Sequence, residues 1–270
     1  MKPQYKALIL DTILKELRSK TLIFIFVATT AALILGHMVM NLVNTQMGGD
    51  ASFSLAGVDV LSVNFRILNS VSFLVAAIFG VSVFRSDFQN NIIYQYLSFP
   101  ISRAEYFFVR VLGTWLLVLG YYAYSYILSA ILFSFAFKKI VFTAGHLGGF
   151  CILSLYLLLV IFISIFFSLL MNKIGALFAT FISCIASAVA YATFAKLPYN
   201  EFFANMSAFK GIGLLVYGLF PRISFLADTS NNILFREAVS VNLWEQIAHL
   251  IIISGAYVYL ANYFVKKKDF

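Results

Sequence analysis

The chain has 270 residues, of which 62% are hydrophobic and only 11% charged, with a formal charge of +8. A soluble domain averages about 25% charged residues, and a soluble fold of this length has no interior large enough to hide so much apolar surface. The composition therefore excludes a soluble enzyme, a disordered chain and a disulfide-rich secreted domain, and predicts an all-α integral membrane protein.

Residues 1–20 place Leu10, Ile13, Leu14 and Leu17 at helical spacing, with Lys6, Asp11, Lys15, Glu16 and Arg18 mostly elsewhere. Asp11 with Lys15, and Glu16 with Lys20, have the i,i+4 order that supports a helix. This predicts an amphipathic interfacial helix on the membrane surface, with Leu10, Leu14, Lys15, Glu16, Leu17 and Arg18 as its main residues. Its long polar portion does not read as a signal peptide.

A helix needs about 20 apolar residues to cross a bilayer. Six runs qualify: Thr21–Met40, Ile67–Phe84, Tyr106–Phe137, Leu147–Met171, Ile174–Ala195 and Gln246–Val265. Between them, Asn41–Arg66 and Arg85–Glu105 are polar, Lys138–His146 is short and Asn172–Lys173 is a tight turn. Residues 196–245 form a long loop with its own apolar stretch, Gly211–Pro221. That stretch is too short to span, and its three glycines and terminal proline predict short re-entrant helices before the last span.

Placing both termini in the cytoplasm puts 12 of the 19 Lys and Arg on the inner side with 5 of the 11 acidic residues. This asymmetry follows the positive-inside rule and accounts for the net charge without nucleic acid. Lys266, Lys267 and Lys268 anchor the tail.

Within the predicted spans the only Asp, Glu, Lys or Arg is Arg110. Proton- and sodium-coupled carriers keep ionisable groups at membrane depth, so the energy source is expected outside this chain. There is no His-Glu-x-x-His, no Gly-x-Ser-x-Gly and no phosphate-binding Gly-x-x-x-x-Gly-Lys loop. No catalytic residue and no metal ligand is expected, and His37, His146 and His249 read as interfacial or solvated. Tyr121, Tyr122, Tyr124 and Tyr126 read as packing and an aromatic belt. Cys151 and Cys184 read as small core residues. Ala179, Ser183 and Ser187 recur every four residues, a period that lets helices approach closely, either within the chain or as a dimer seam.

The segment 84–113, FRSDFQNNIIYQYLSFPISRAEYFFVRVLG, reads as a short helix, a proline-fixed turn and a new helix that Ser102 caps. Its Asp87 followed by Leu97, Pro100, Ser102 and Arg103 resembles the loop after the second span in permease subunits of type-2 ABC exporters. There an acidic residue precedes Leu-x-x-Pro-x-Ser-Arg. The interfacial helix with Lys15-Glu16-Leu17, the six spans and the basic tail are similar as well.

The resemblance implies a single permease domain over residues 1–270. It implies a dimer with a second permease copy, bound to two copies of a separate ABC ATPase that carries ATP and Mg. Residues 85–105 would be the coupling loop, with Arg85, Asp87, Gln89, Tyr94, Pro100, Arg103 and Glu105 as coupling residues. Residues 196–245 would be extracytoplasmic, with membrane lipid around the spans and room for an extracytoplasmic accessory protein. The dimer seam would draw on Ala179, Ser183 and Ser187. The location implied is a prokaryotic plasma membrane, the inner one in a Gram-negative cell. The alternative expectation is a non-transporting membrane anchor or mechanical component of an assembly complex. A lipid-acting membrane enzyme would require a converging polar constellation that the sequence does not display.

Overall fold

A computed structural model describes residues 3–46, 54–55, 58–89, 101–137, 144–203, 207–235 and 242–267. The helices are α1 (Pro3–Leu17), α2 (Lys20–Gln46), α3 (Val60–Gln89), α4 (Arg103–Phe137), α5 (Ala144–Leu170), α6 (Lys173–Phe194), α7 (Tyr199–Phe202), α8 (Ala208–Leu219), α9 (Ile223–Phe235) and α10 (Leu243–Lys267). Between α2 and α3 lies a two-residue antiparallel ladder, β1 (Ser54–Leu55) with β2 (Val58–Asp59).

Six helices are long and apolar enough to cross a membrane: α2, α3, α4, α5, α6 and α10. They coincide with the six runs read from the sequence, and several extend beyond the apolar stretch. The third starts at Arg103, where a capping box forms. Ser102 Oγ accepts from the Glu105 N–H at 3.2 Å, and the Ser102 N–H donates to Glu105 Oε2 at 2.8 Å. Each side chain satisfies a backbone donor that the first helical turn leaves open. Helix α6 starts on Asn172, whose Oδ1 accepts from the Gly175 N–H at 2.7 Å.

The centre of the bundle is α3, α4 and α5. More than half of the α3 span is buried, against 6% of the α10 span, so α10 lies at the periphery. Helices α3 and α5 approach closely where Gly80 faces α5, with Ala76 and Ala77 buried in the same part of α3. A Cβ on Gly80 would stand 2.7 Å from Ser164 Cβ and 3.2 Å from the Ile161 backbone. Buried hydroxyls return to their own helix, as in Ser72 to Leu68 O, Thr114 to Arg110 O and Ser164 to Val160 O. An apolar medium offers them no water, so this back-bonding is how they avoid an unmet polar group.

Tyr121, Tyr122 and Tyr126 belong to this core rather than to a belt; only Tyr124 of the four is exposed. Tyr122 donates to Asn69 Oδ1 at 3.2 Å and stacks on Phe150, while Tyr126 donates to the His146 carbonyl. His146 is buried between Phe65 and Tyr126, not solvated. Cys184 is buried as expected and Cys151 lies exposed on the bundle surface.

The apolar stretch Gly211–Pro221 forms most of α8 and the break that follows it, and α9 continues beyond at a bend of 75°. Phe220 precedes Pro221 and adopts φ −94°, ψ 145°, because a residue before proline is driven out of helical geometry. Phe194, Phe202, Tyr217 and Phe225 form a second small core under this pair.

Candidate functional site

Helix α1 has two working faces. Leu10, Leu14 and Leu17 line one and remain exposed, while Leu8 and Thr12 on the other side are buried against α4. Gly113 permits this docking, since a Cβ there would meet Thr12 Cβ at 2.9 Å. The amphipathic pattern is therefore split: Leu10, Leu14 and Leu17 face away from the protein, while Thr12, Asp11 and Lys15 reach polar partners on the bundle.

Those polar residues meet a buried charge cluster at the end of the bundle that carries α1. Asp87, near the end of α3, has no solvent exposure. Its carboxylate pairs with Lys15 Nζ of α1 at 3.0 Å and with Arg110 Nη2 of α4 at 2.8 Å, and it accepts from the Tyr106 hydroxyl at 2.5 Å. Arg110, 1% exposed, also pairs with Asp11 at 3.1 Å and donates to Thr12 Oγ1 at 2.6 Å. Two carboxylates and two cations thus neutralise one another, the condition under which burying charge is tolerable.

The sequence pairs Asp11 and Lys15 along one helix; the structure gives each a partner on another helix. Glu16 and Lys20 lie on either side of the break between α1 and α2, so their spacing is not a helical one. Burial raises the Glu16 carboxyl above its ordinary 4.5, against the pull of Lys15 and Lys173.

The network reaches further through the coupling candidates. Glu105 accepts from the Tyr5 hydroxyl, which ties the start of α1 to the start of α4. Arg85 donates to the Met171 carbonyl at 2.7 Å, capping the end of α5 where α6 begins. Arg103 is the first residue of α4, and Gln89 is the last of α3. Tyr94 and Pro100 fall outside the described residues. Arg85, Asp87 and Glu105 are therefore engaged inside the chain, and 90–100 is flanked by two helix ends that share the Asp87–Arg110 pair.

Sequence reasoning noted Arg110 and Asp11 without assigning them to the site, and missed Thr12, Tyr106 and Tyr5. One signal was available: an arginine in an otherwise uncharged span needs a carboxylate partner, and the structure supplies two, Asp87 and Asp11.

The expected dimer seam looks different in three dimensions. Ser183 and Ser187 are buried within this chain, and Ser187 Oγ donates to the Pro221 carbonyl at 2.8 Å. Ser187 thereby admits the chain's own α8–α9 break, Ser183 returns its hydroxyl to the Thr180 carbonyl, and Ala179 is half-buried. The side of α6 left uncovered carries Ile174, Phe178, Ile182, Ile185 and Val189 instead.

That break holds a second polar cluster. Arg222 is 7% exposed and lies 3.6 Å from the Tyr217 ring centre. It pairs with Glu245 at 3.0 Å, donates to Gln246 Oε1 at 3.0 Å and bonds the Tyr217 carbonyl at 3.2 Å. His249 stacks on Tyr217 and bonds the Gly218 carbonyl at 3.0 Å. The bend is thereby clamped to the start of α10. Among the described residues no group of three His, Cys, Asp or Glu could hold a metal ion. A scan against protein-family models finds no match for this chain, and a search of curated proteins finds none either.

Proposed function

We propose that this chain is the permease subunit of an ATP-driven exporter of the type-2 ABC kind, working as a dimer with two copies of a separate ATPase that binds ATP and Mg. The carrying observation is the fully buried Asp87, held at once by Lys15 of α1 and by Arg110 and Tyr106 of α4. The helix ends on both sides of residues 90–100, together with α1, form one polar-locked body. A push on 90–100 would pass into α1, α3 and α4 together, and through Arg85 and Met171 into the α5–α6 turn. A rigid input of this kind is what a mechanically driven permease requires.

In this reading α1 lies at the inner membrane surface with Leu10, Leu14 and Leu17 in lipid, and both termini are cytoplasmic in a prokaryotic plasma membrane. Helices α8 and α9 have 12 and 13 residues, each about 20 Å long at 1.5 Å per residue. Neither reaches across about 30 Å of hydrocarbon. With their 75° bend pinned to α6 through Ser187 and Pro221, they suit a re-entrant pair that returns to the side it came from. The second copy would meet the uncovered sides of α2 and α6.

The test is to purify the tagged protein from its native host and identify what accompanies it. A stoichiometric soluble ATPase with a phosphate-binding loop is expected, and Arg103→Glu should reduce its recovery while leaving the permease folded. Recovery of the permease alone, or with an unrelated membrane complex, would overturn the reading.

A further inference from the structure

Away from both polar clusters, a groove of about 220 Å³ lies between α3, α5 and α9. Helix α3 lines it with Arg66, Asn69, Ser70 and Phe73, an i, i+3, i+4, i+7 stripe that puts all four on one face. Leu153 and Tyr156 of α5 and Asn231 of α9 complete the wall.

The lining is graded along its length. Helix α3 passes from Arg66 to Phe73 as it enters the bundle, and α5 runs the same way from Leu153 to Tyr156. The later part of helix α9 lies beside the start of α5, since Ser230 bonds the Gly149 carbonyl and a Cβ on Gly148 would stand 3.1 Å from Ile233. Arg66, Asn69 and Asn231 therefore gather toward one end of the groove, while the Phe73 and Tyr156 rings, 6.3 Å apart, stand toward the other.

The polar groups at the Arg66 end have bonding capacity to spare. Asn69 Oδ1 accepts from Tyr122, which leaves its amide N–H groups to donate elsewhere. Asn231 Oδ1 is buried without a hydrogen-bond partner among the described residues; as an acceptor it suits a head-group hydroxyl, while the amide N–H groups of Asn231 are the donors for phosphate oxygens. Arg66 is exposed, and its guanidinium offers five donors. Ser70 spends its hydroxyl on the Arg66 carbonyl and serves as wall only. Asp228, next to Ala227 of the groove wall, is close enough to feel the Arg66 charge.

We propose that this groove binds an anionic amphiphile, with a phosphate-type head on Arg66 and the amides of Asn69 and Asn231, and the first part of its chain against Phe73, Leu153 and Tyr156. A planar, weakly hydrated cation beside amide donors suits a phosphate oxygen. An apolar, aromatic continuation suits methylenes and would repel a free inorganic ion. The volume admits a head group and a short length of chain, so the rest of a long tail runs out along the bundle surface. The site requires no ATPase and stands apart from the exporter reading.

The experiment uses the full-length protein in phosphatidylcholine vesicles containing a small fraction of phosphatidylglycerol with a photoreactive acyl chain. Labelled peptides are mapped by mass spectrometry. Labelling is expected to concentrate on residues 66–73 and 153–156. Arg66→Gln should reduce it roughly tenfold, the loss of one good charge-assisted contact. Arg66→Lys, which keeps the charge but not the planar fork, should retain only part of it, and Asp228→Asn, which removes a neighbouring negative charge, should raise it.

Displacement by dodecyl phosphate would identify a free single-chain amphiphile as an adequate ligand. Resistance to dodecyl phosphate with the same Arg66 dependence would identify the bilayer lipid as the source. Labelling spread evenly along the exposed helices, or unchanged in Arg66→Gln, would overturn the proposal. Arg66 is exposed, so its variants are expected to melt like the parent protein, and a melting curve separates lost binding from lost folding.

Discussion

Asp87 has the most to lose from a single substitution. Removing one partner from a buried charge pair leaves the other charge uncompensated, at a cost of about 3–5 kcal/mol. Arg110→Leu should therefore lower the thermal midpoint of the purified protein sharply. The Asp87→Leu, Arg110→Leu double variant should recover part of that loss, because no orphaned charge remains between them. Lys15 is about one-third exposed, so water screens its share of the interaction. Lys15→Ala should cost about 1 kcal/mol or less. Equal midpoints for Arg110→Leu and Lys15→Ala would show that burial does not set the hierarchy.

Glu16 makes the same region sensitive to pH. Its carboxyl is raised by burial, so the folded protein holds that proton more tightly than the unfolded chain does. The resulting stabilisation is full below the ordinary value and is lost as pH rises through the raised one. Hydrogen exchange of residues 3–17 should accordingly speed up as pH rises above the ordinary carboxyl value of 4.5, beyond its intrinsic base-catalysed rise. Glu16→Gln should abolish that excess. An excess that persists in the variant would assign the effect to another group.

At the scale of elements, glycines decide how closely helices approach. Gly80→Ala should cost about 1–3 kcal/mol, because its Cβ would meet Ser164 and the Ile161 backbone, and a helix backbone yields little. Gly36 offers the control, since nothing lies within 4 Å of a Cβ there. Gly36→Ala should be neutral or stabilising through helix propensity alone. Similar losses at both positions would mean that the α3–α5 contact is looser than these distances require. The same logic explains the α6 serines: small side chains at four-residue spacing marked a close approach, but periodicity does not say whether the partner is another copy or the chain's own Pro221.

For the whole molecule, topology is the property with the most direct test. An even number of crossings puts α1 and the end of α10 on one side of the membrane. In a background lacking Cys151 and Cys184, Lys6→Cys and Lys267→Cys should react with an impermeant thiol reagent from the same face, and Lys210→Cys from the opposite face. Reaction of Lys6→Cys and Lys267→Cys from opposite faces would make α8 and α9 together a seventh, broken span.

The six apolar helices were legible without coordinates, because crossing a bilayer imposes a length and a composition that any linear reading detects. The Ser102–Glu105 capping box and the break before Pro221 were legible too, since each depends on neighbours a few residues apart. The Asp87–Arg110–Lys15 cluster was not, because its members are separated by as many as 95 positions and only packing of α1, α3 and α4 brings their charges within 3 Å. Nor was the inward turn of Tyr121, Tyr122 and Tyr126, whose aromatic character suits a lipid boundary and a core equally. Composition and period act along the chain and specify each helix; desolvation acts between helices, so only the tertiary structure decides which polar groups must find one another.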